Sequence, residues 1–134
     1  MNIYLDIDGV ILANDKQAAL HADEFIAHLV NNFPVYWLTT HCMRVGDDPL
    51  LMLSGFFGAE TLELLKKVKP TQWDTLKTEA IDFSQPFLWF DDDPLAEERE
   101  ELAQRGVLES WVEIDLANDP HQLREILKHA KLAI

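Results

Sequence analysis

Residues 2–10 read Asn-Ile-Tyr-Leu-Asp-Ile-Asp-Gly-Val, an apolar stretch that ends in two carboxylates and a glycine. The apolar residues are typical of a strand covered on both faces, as in a parallel sheet flanked by helices. Asp6 and Asp8 are then expected at the carboxyl end of this strand, where open α/β sheets bind their ligands. Two acids this close repel each other and lose hydration, so one of them protonates unless a cation neutralises the pair. The stretch therefore predicts a metal site.

The composition is that of a single domain over residues 1–134. With 134 residues, of which 48% are hydrophobic, the chain can bury a core without disulfides. The only cysteine, Cys42, excludes an internal disulfide, and the N-terminus lacks the pattern of a secretory leader. We therefore expect a reducing, cytoplasmic location. No apolar run approaches the roughly 20 residues that cross a bilayer, so no membrane association is expected.

The net charge of −13, from 24 acidic and 11 basic residues, bears on the partners. Such a chain repels phosphate backbones at long range, which disfavours extended nucleic-acid binding and anionic membrane surfaces. Part of the charge lies in the predicted metal site. Another part lies in an acidic run that is typical of a solvated helix face: Glu97, Glu98, Glu100 and Glu101.

Helical and strand patterns alternate along the chain. In order, they predict a helix over about 15–32 that Pro34 ends, a strand over Val35–Leu38, two short helices between about 47 and 68 with a marginal edge strand near Val68, a helix over Thr71–Ile81 with Thr71 as its cap, a strand over Phe87–Phe90, a helix over Leu95–Gln104 that Gly106 closes, a strand over Trp111–Ile114, and a helix over about 120–131. The alternation predicts the α/β class with a mostly parallel sheet and right-handed crossovers.

Candidate reactive groups follow three of the predicted strands. They are Asp6 and Asp8, then Thr39 and Thr40, then Asp91, Asp92 and Asp93. A parallel sheet places these strand ends along one edge, and Lys77, on the helix before the third strand, could reach the same edge. Carboxylates for a hard cation, a hydroxyl and a lysine form a set suited to holding a phosphoryl group beside Mg²⁺.

With these motifs in order, the chain resembles the haloacid dehalogenase superfamily of aspartate-nucleophile phosphatases over nearly its whole length. The first motif of that family, D-x-D-G, matches residues 6–9, and the second, an apolar strand ending in Thr or Ser, matches residues 35–39. The third, a lysine, matches Lys77, and the fourth, apolar residues before paired acids, matches residues 87–92. The resemblance implies a Rossmann-like three-layer α/β/α sandwich. Residues 73–77 and 86–92 also resemble small phosphatase-like members associated with RNA repair proteins.

The resemblance also implies roles for the two aspartates that open the chain. Asp6 would attack the phosphorus and form an aspartyl phosphate, which divides one slow displacement into two easier ones. Asp8 would protonate the leaving oxygen and then activate the hydrolytic water. Gly9 would permit the tight turn that aims Asp8 back at the site.

The remaining site residues are assigned in the same way. Mg²⁺ would take carboxylate oxygens from Asp6 and Asp91, the backbone carbonyl of Asp8, and waters that Asp92 holds. Thr39 would donate to the phosphoryl oxygens, Thr40 would contribute its backbone amide, and Lys77 would balance charge.

Several assignments stay open at the level of sequence. Three consecutive acids leave open which of Asp91, Asp92 and Asp93 is the direct ligand, with Asp91 favoured and Asp93 a candidate helix cap. Lys77 competes with Lys69, which precedes a proline. For His41 and Cys42 a local structural role is favoured over catalysis, and the aromatic residues Trp37, Trp89 and Trp111 are expected in the core.

The spacing of the motifs leaves no room for a folded cap domain. About thirty residues separate Asp8 from Thr39, a predicted helix fills most of them, and the stretch from His41 to Trp73 is needed for crossover elements. The site is therefore expected to be open. By the resemblance, capless members act on large phosphorylated substrates such as macromolecules, or take cover from a second subunit. The substrate and the oligomeric state are not encoded in any motif.

Three functions compete at this level. The first is a Mg²⁺-dependent phosphomonoesterase with Asp6 as nucleophile. The second is a non-enzymatic, metal-binding interaction module on the same scaffold, which has no need of Asp8. The third is a phosphoacceptor domain of the receiver type, in which the order of acids, hydroxyl and lysine along the chain would differ from the order found here.

Overall fold

The computed structural model describes residues 1–42 and 48–133. The strands are β1 (Asn2–Leu5), β2 (Leu12–Asn14), β3 (Gln17–Ala18), β4 (Val35–Trp37), β5 (Phe87–Asp91) and β6 (Trp111–Glu113). The helices are α1 (Ala22–Asn32), α2 (Pro49–Leu53), α3 (Ala59–Leu65), α4 (Ala96–Gln104) and α5 (Gln122–Ile126). Short 3₁₀ turns cover Thr40–Cys42, Lys77–Ala80, Leu108–Ser110 and Ala130–Leu132.

Within these described ranges, four parallel strands form the main sheet in the order β4-β1-β5-β6. The opening strand β1 lies between β4 and β5, with Leu5 opposite Trp37 on one side and Phe90 on the other. Parallel strands buried on both faces are apolar throughout, which explains why residues 2–5 show no polar alternation. The predicted α/β class with a mostly parallel sheet is confirmed.

The two faces of the sheet carry separate apolar clusters. Ile3 and Leu5 pack with α1, α3 and α5 on one face. Tyr4 and Trp89 pack with Leu102 of α4 on the other. Because successive side chains of a strand point to opposite faces, β1 contributes to both clusters. The arrangement of helices around a parallel sheet is compatible with a Rossmann-like fold.

The predicted helix over 15–32 is wrong in its first part. The segment after β1 forms an antiparallel hairpin of β2 and β3, and α1 begins only at Ala22. The side chain of Asn14 accepts a hydrogen bond from the amide of Lys16 at 2.8 Å, which closes the hairpin turn. His21 precedes the helix with a left-handed φ of 65°, so the backbone cannot continue the helix toward the hairpin.

The predicted helix over Thr71–Ile81 is also wrong, apart from the 3₁₀ turn at Lys77–Ala80. The Glu79 carboxylate accepts hydrogen bonds from the amides of Asp74, Thr75 and Leu76. The three amides therefore donate to a side chain instead of to helical carbonyls, and the backbone of this segment is not helical. Thr71 caps no helix here, since its hydroxyl donates to the Trp37 carbonyl at 2.5 Å.

The ends of the other helices and strands lie closer to their predicted positions. The helix predicted over about 120–131 is shortened to α5 and a separate 3₁₀ turn, because the amide of His129 bonds three residues back, to the Ile126 carbonyl. The two short helices after residue 47 are present as α2 and α3, while Asp47 itself lies outside the described residues. The expected edge strand is reduced to an isolated parallel bridge between Tyr36 and Lys69.

The tryptophans follow the prediction in part. Trp37 and Trp89 lie in the core, whereas Trp111 is partly exposed at the edge strand β6.

Among residues 1–42 and 48–133, no helix combines the length and the hydropathy that a membrane span requires.

The Tyr4 hydroxyl ties β1 to the segment that carries the 3₁₀ turn, because it accepts a hydrogen bond from the amide of Asp82 at 2.9 Å. We predict that Tyr4→Phe lowers the free energy of unfolding by about 1 kcal/mol, since the part-buried hydrogen bond from the Asp82 amide is lost. Urea unfolding followed by tryptophan fluorescence measures this loss. Tyr36→Phe, in the partly exposed ring that stacks on Tyr4, is the control and should cost less. Equal losses for the two variants would contradict the prediction.

Candidate functional site

The two buried carboxylates of the site come from neighbouring strands. Asp6 directly follows β1, and Asp91 is the last residue of β5. The Asp6 amide donates to the Phe90 carbonyl at 3.1 Å, so strand pairing extends to this level. Alternation along each strand turns both carboxylates toward the face that Tyr4 and Trp89 occupy. The strand ends therefore bring the two acids together on the side of α4.

Lys77 bridges these carboxylates from the 3₁₀ turn. Its ammonium lies 2.7 Å from Asp91 Oδ2 and 3.1 Å from Asp6 Oδ2. All three side chains are sheltered from solvent, with exposed fractions of 15% for Lys77, 11% for Asp6 and 2% for Asp91. A buried charge is tolerated when it is paired and hydrogen-bonded, and this triad meets that condition.

The protonation of Asp6 is set by opposing effects. Burial raises the pKa of Asp6 and repulsion from Asp91 adds to it, while attraction by Lys77 lowers it, and the balance is a rise from 3.8 to about 6. For Lys77, burial lowers the pKa of the ammonium, but the two neighbouring carboxylates outweigh burial and leave its pKa raised. Lys77 therefore stays a cation at neutral pH.

Asp92 completes a group of three carboxylates. Asp6, Asp91 and Asp92 each offer an oxygen, and these oxygens lie within 4.8 Å of one another. Burial, followed by repulsion from Asp91, raises the pKa of Asp92. Carboxylate oxygens at this spacing are the donors that a hard divalent cation such as Mg²⁺ prefers. These residues therefore fit a cation.

Gly9 lies against Asp92 in the loop that follows Asp8. Its φ is +75°, and a Cβ added there would lie 2.5 Å from Asp92 Oδ2. Both the left-handed backbone and the close approach require glycine. The loop itself is closed by amides of residues 10–12, which converge on the Ile7 carbonyl.

Asp8 stands apart from the three carboxylates. Its side chain is 67% exposed and lies 2.7 Å from His41 Nε2. His41 belongs to the 3₁₀ turn after β4, so this contact joins the first loop to the second. The sequence placed His41 next to the site but did not reveal this contact, since residues 8 and 41 meet only when β1 and β4 are paired.

Thr39 and Thr40 lie where β4 ends. Thr39 is buried, and its hydroxyl oxygen accepts a hydrogen bond from the His41 amide at 3.3 Å. Thr40 is exposed and begins the 3₁₀ turn, which also includes the backbone of Cys42. The structure thus places Thr39 at the same edge of the sheet as the carboxylates.

The alternatives left open by the sequence separate clearly in space. The ammonium of Lys69 lies over the Tyr36 ring, 5.8 Å from its centroid, whereas Lys77 contacts the carboxylates. Asp93 pairs with Arg99 at 2.7 Å, and it caps no helix, since α4 begins after Leu95. Asp91 and Asp92 both belong to the carboxylate group, so the choice between them as direct ligand stays open.

The acidic run on α4 departs from the expected solvated face at Glu98. This side chain is 2% exposed, and its carboxylate accepts hydrogen bonds from the amides of Lys77 and Leu95. Glu98 lies three residues after Leu95, which is the spacing at which the Glu side chain of a capping box accepts a hydrogen bond from the amide of the N-cap residue. This spacing was the signal in the sequence. The absence of Ser, Thr, Asp or Asn at position 95 concealed it.

A cleft of about 340 Å³ adjoins the carboxylate group. Gly9, Ala13 and Asp92 line one part of it, and residues 113–117 line the rest. A larger, more apolar cleft of about 410 Å³ continues from it and shares Ala13 and Leu116. Asp92, at the edge of the carboxylate group, is therefore open to small molecules from the side of β6.

Comparison of the chain with family models, with curated proteins and with solved structures found no match.

We predict that Gly9→Ala destabilises the protein by about 1 to 2 kcal/mol, because alanine resists a left-handed backbone. The added methyl group also displaces Asp92, so the affinity for Mg²⁺ is expected to fall. Thermal unfolding with and without MgCl₂ measures both effects. Gly58→Ala is the matched control, since a Cβ at Gly58 meets no atom within 4 Å. An equal Mg²⁺ response in the two variants would refute the role of Gly9.

The pKa of Asp6 predicts a pH-dependent effect of its removal. Because the folded-state pKa, about 6, lies above the ordinary value of 3.8, the native state loses stability as the pH rises from 3.8 to about 6, and the full cost of ionised Asp6 is present above pH 6. Without divalent cations, Asp6→Asn should therefore stabilise the protein at pH 7.5 relative to wild type, by about 1 to 3 kcal/mol, and by less at pH 5.

Thermal unfolding in EDTA at the two pH values tests this prediction. Asp93→Asn is the control, because Asp93 is exposed and lies outside the carboxylate group. A stability difference between Asp6→Asn and wild type that is the same at pH 5 and pH 7.5 would show that Asp6 does not titrate between them.

Proposed function

We propose that this chain is a Mg²⁺-dependent phosphomonoesterase of the haloacid dehalogenase type, acting through an aspartyl phosphate on Asp6. The observation that carries the proposal is the triad at adjacent strand ends, in which the Lys77 ammonium lies within 3.1 Å of both Asp6 and Asp91. Asp92 extends this triad to a group that fits a cation. A nucleophile, a cation site and a fixed lysine are the parts that phosphoryl transfer needs.

The cation would be held by the carboxylates of Asp6, Asp91 and Asp92, together with the backbone carbonyl of Asp8. Mg²⁺ is favoured because the donors are all oxygens and because this ion keeps several waters of its own. When bound, Mg²⁺ neutralises the negative charge that the carboxylates and a phosphoryl group would bring together.

Asp6 would act as the nucleophile. A carboxylate oxygen of Asp6 forms a bond to phosphorus, and the bond from phosphorus to the substrate oxygen breaks. Oδ1 would be the attacking oxygen, and it accepts a hydrogen bond from the Ile7 amide at 2.8 Å. The other oxygen, Oδ2, would then stay hydrogen-bonded to Lys77. The Ile7 amide then points toward the reacting centre.

Asp8 would act as general acid and base. In the first step it transfers its proton to the leaving oxygen of the substrate. In the second step its carboxylate takes a proton from the water that attacks phosphorus, and the Asp6–phosphorus bond breaks. The exposed position of Asp8 gives it access to a leaving group that approaches from solvent, and His41 holds the side chain at the mouth of the site.

Thr39, Thr40 and Lys77 would bind the phosphoryl group. Thr39 offers a hydroxyl at the end of β4, Thr40 offers a backbone amide at the start of the 3₁₀ turn, and Lys77 offers a buried ammonium. The Lys77 ammonium is already held by Asp6 and Asp91, and such a preorganised donor favours electrostatic stabilisation of the transition state.

The substrate is proposed only as a phosphorylated molecule with free access to an open site. The cleft beside Asp92 and the exposure of Asp8 support access by large substrates. The net charge of −13 continues to disfavour extended nucleic acids. A reducing, cytoplasmic location also stays a prediction.

The proposed activity predicts how individual substitutions should change turnover. With MgCl₂, the purified protein should hydrolyse p-nitrophenyl phosphate, and a panel of sugar phosphates, nucleotides, phosphopeptides and phosphorylated oligonucleotides should identify better substrates. Asp6→Asn should abolish turnover, and Asp8→Asn and Lys77→Met should each lower kcat by about 100-fold or more. EDTA should remove the activity and MgCl₂ should restore it.

Matched controls accompany these variants. Asp93→Asn removes a carboxylate next to the site, and Lys69→Met removes the competing lysine; both should keep wild-type activity. Turnover that persists in Asp6→Asn would overturn the proposal. Mg²⁺-linked stabilisation without turnover on any phosphate would favour the metal-binding interaction module instead, and a long-lived aspartyl phosphate would favour a receiver domain.

A further inference from the structure

Lys77 has little local support for its position. It begins a 3₁₀ turn of four residues, and the segment before it is held by Glu79 in a non-helical backbone. A short turn leaves the backbone free to move unless tertiary contacts hold it. The placement of the Lys77 ammonium on Asp6 and Asp91 must therefore depend on residues elsewhere in the chain.

Glu98 on α4 supplies such a contact. Its Oε2 accepts a hydrogen bond from the backbone amide of Lys77, and its Oε1 accepts one from the Leu95 amide at 2.8 Å. Glu98 is 2% exposed, so the carboxylate that accepts both hydrogen bonds is shielded from water. One carboxylate thus joins the turn that carries the lysine to the loop that follows Asp91.

The contact is part of a wider attachment of α4 to this turn. The hydroxyl of Thr78, which is 2% exposed, donates to Glu101 Oε1 at 2.7 Å. Glu101 lies one turn of helix after Glu98, on the same side of α4. Two consecutive residues of the turn are therefore bound to two glutamates of one helix.

We infer that Glu98 is a positioning residue that fixes the Lys77 backbone, so that the ammonium reaches Asp6 and Asp91. The inference rests on the proposed function, because it assigns Glu98 an effect on catalysis through Lys77. It requires a carboxylate, since two amide donors converge on the two oxygens. A glutamine can accept only one of these bonds and turns an NH₂ donor toward the other amide.

The test is the kcat of Glu98→Gln on the best substrate of the phosphatase panel. We expect kcat to fall about 10- to 100-fold with a smaller change in KM, because a displaced Lys77 stabilises the transition state less well. In a Lys77→Met background, Glu98→Gln should change kcat by less than about twofold. Such non-additivity is expected only if Glu98 acts through Lys77. Equal effects in both backgrounds would overturn the inference.

Two controls separate positioning from stability. Glu97→Gln makes the same change on the exposed side of α4 and should leave kcat at the wild-type value. Leu95→Pro removes the other donor to Glu98, and proline fits there because φ of Leu95 is −64°. It weakens the start of α4 but keeps the bond to Lys77, so its kcat should stay within about twofold of wild type. A loss of kcat in Leu95→Pro equal to that in Glu98→Gln would show a merely structural role.

A second measurement does not depend on activity. In ¹H–¹⁵N spectra, the Lys77 amide proton should resonate downfield because it donates to a carboxylate, and it should move upfield in Glu98→Gln but not in Glu97→Gln. Should Glu98→Gln fail to fold, Glu98→Asp keeps the charge but is too short to reach both amides, and the same losses are expected.

The outcomes distinguish the two proposals. Wild-type kcat in Glu98→Gln, with phosphatase activity present, would overturn the positioning role and leave the activity standing. A wild-type protein that hydrolyses no phosphate, together with the shifted Lys77 resonance in Glu98→Gln, would overturn the proposed activity and support the anchoring of Lys77.

Discussion

The ion triad of Lys77, Asp6 and Asp91 is the constraint on which the site depends. Two buried carboxylates on adjacent strands repel each other, and their burial alone would favour protonation. The ammonium of Lys77 lies between them and reduces this cost, although the pKa of Asp6 still rises to about 6. A cation held beside Asp92 would lower the cost further. Positive charge close to the acidic edge of the sheet therefore lowers the cost of burying its ionised carboxylates.

The layer that contains α4 holds the charged groups of this edge in place. Glu98 binds the Lys77 amide, and the Arg99 guanidinium lies 4.9 Å over the Trp111 ring and pairs with Asp93. Trp111 in turn donates from Nε1 to the Asp91 carbonyl at 3.0 Å. Residues that look like an exposed acidic helix in the sequence therefore support both the lysine and the loop after β5.

The sequence predicted the parallel strands well, because continuous apolar runs have a direct physical cause in burial on both faces. For the same reason it predicted that Asp6, Asp91 and Asp92 lie close together, since residues that follow parallel strands meet at one edge of the sheet. The hairpin of β2 and β3 and the irregular segment before Lys77 were missed. Their backbone is set by hydrogen bonds that the side-chain oxygens of Asn14 and Glu79 accept from backbone amides, which compete with helical hydrogen bonds and leave no periodic pattern.

By itself, the sequence determined that two acids follow the first strand, that threonines and further acids follow two later strands, and that a lysine could reach the same edge of the sheet. Only the tertiary structure decided which lysine does so, that Asp93 turns away to Arg99, and that His41 contacts Asp8. It also decided that Glu98 is buried. These choices depend on contacts between residues far apart in the chain, such as 6 with 77 and 8 with 41, and local patterns carry no information about such distances.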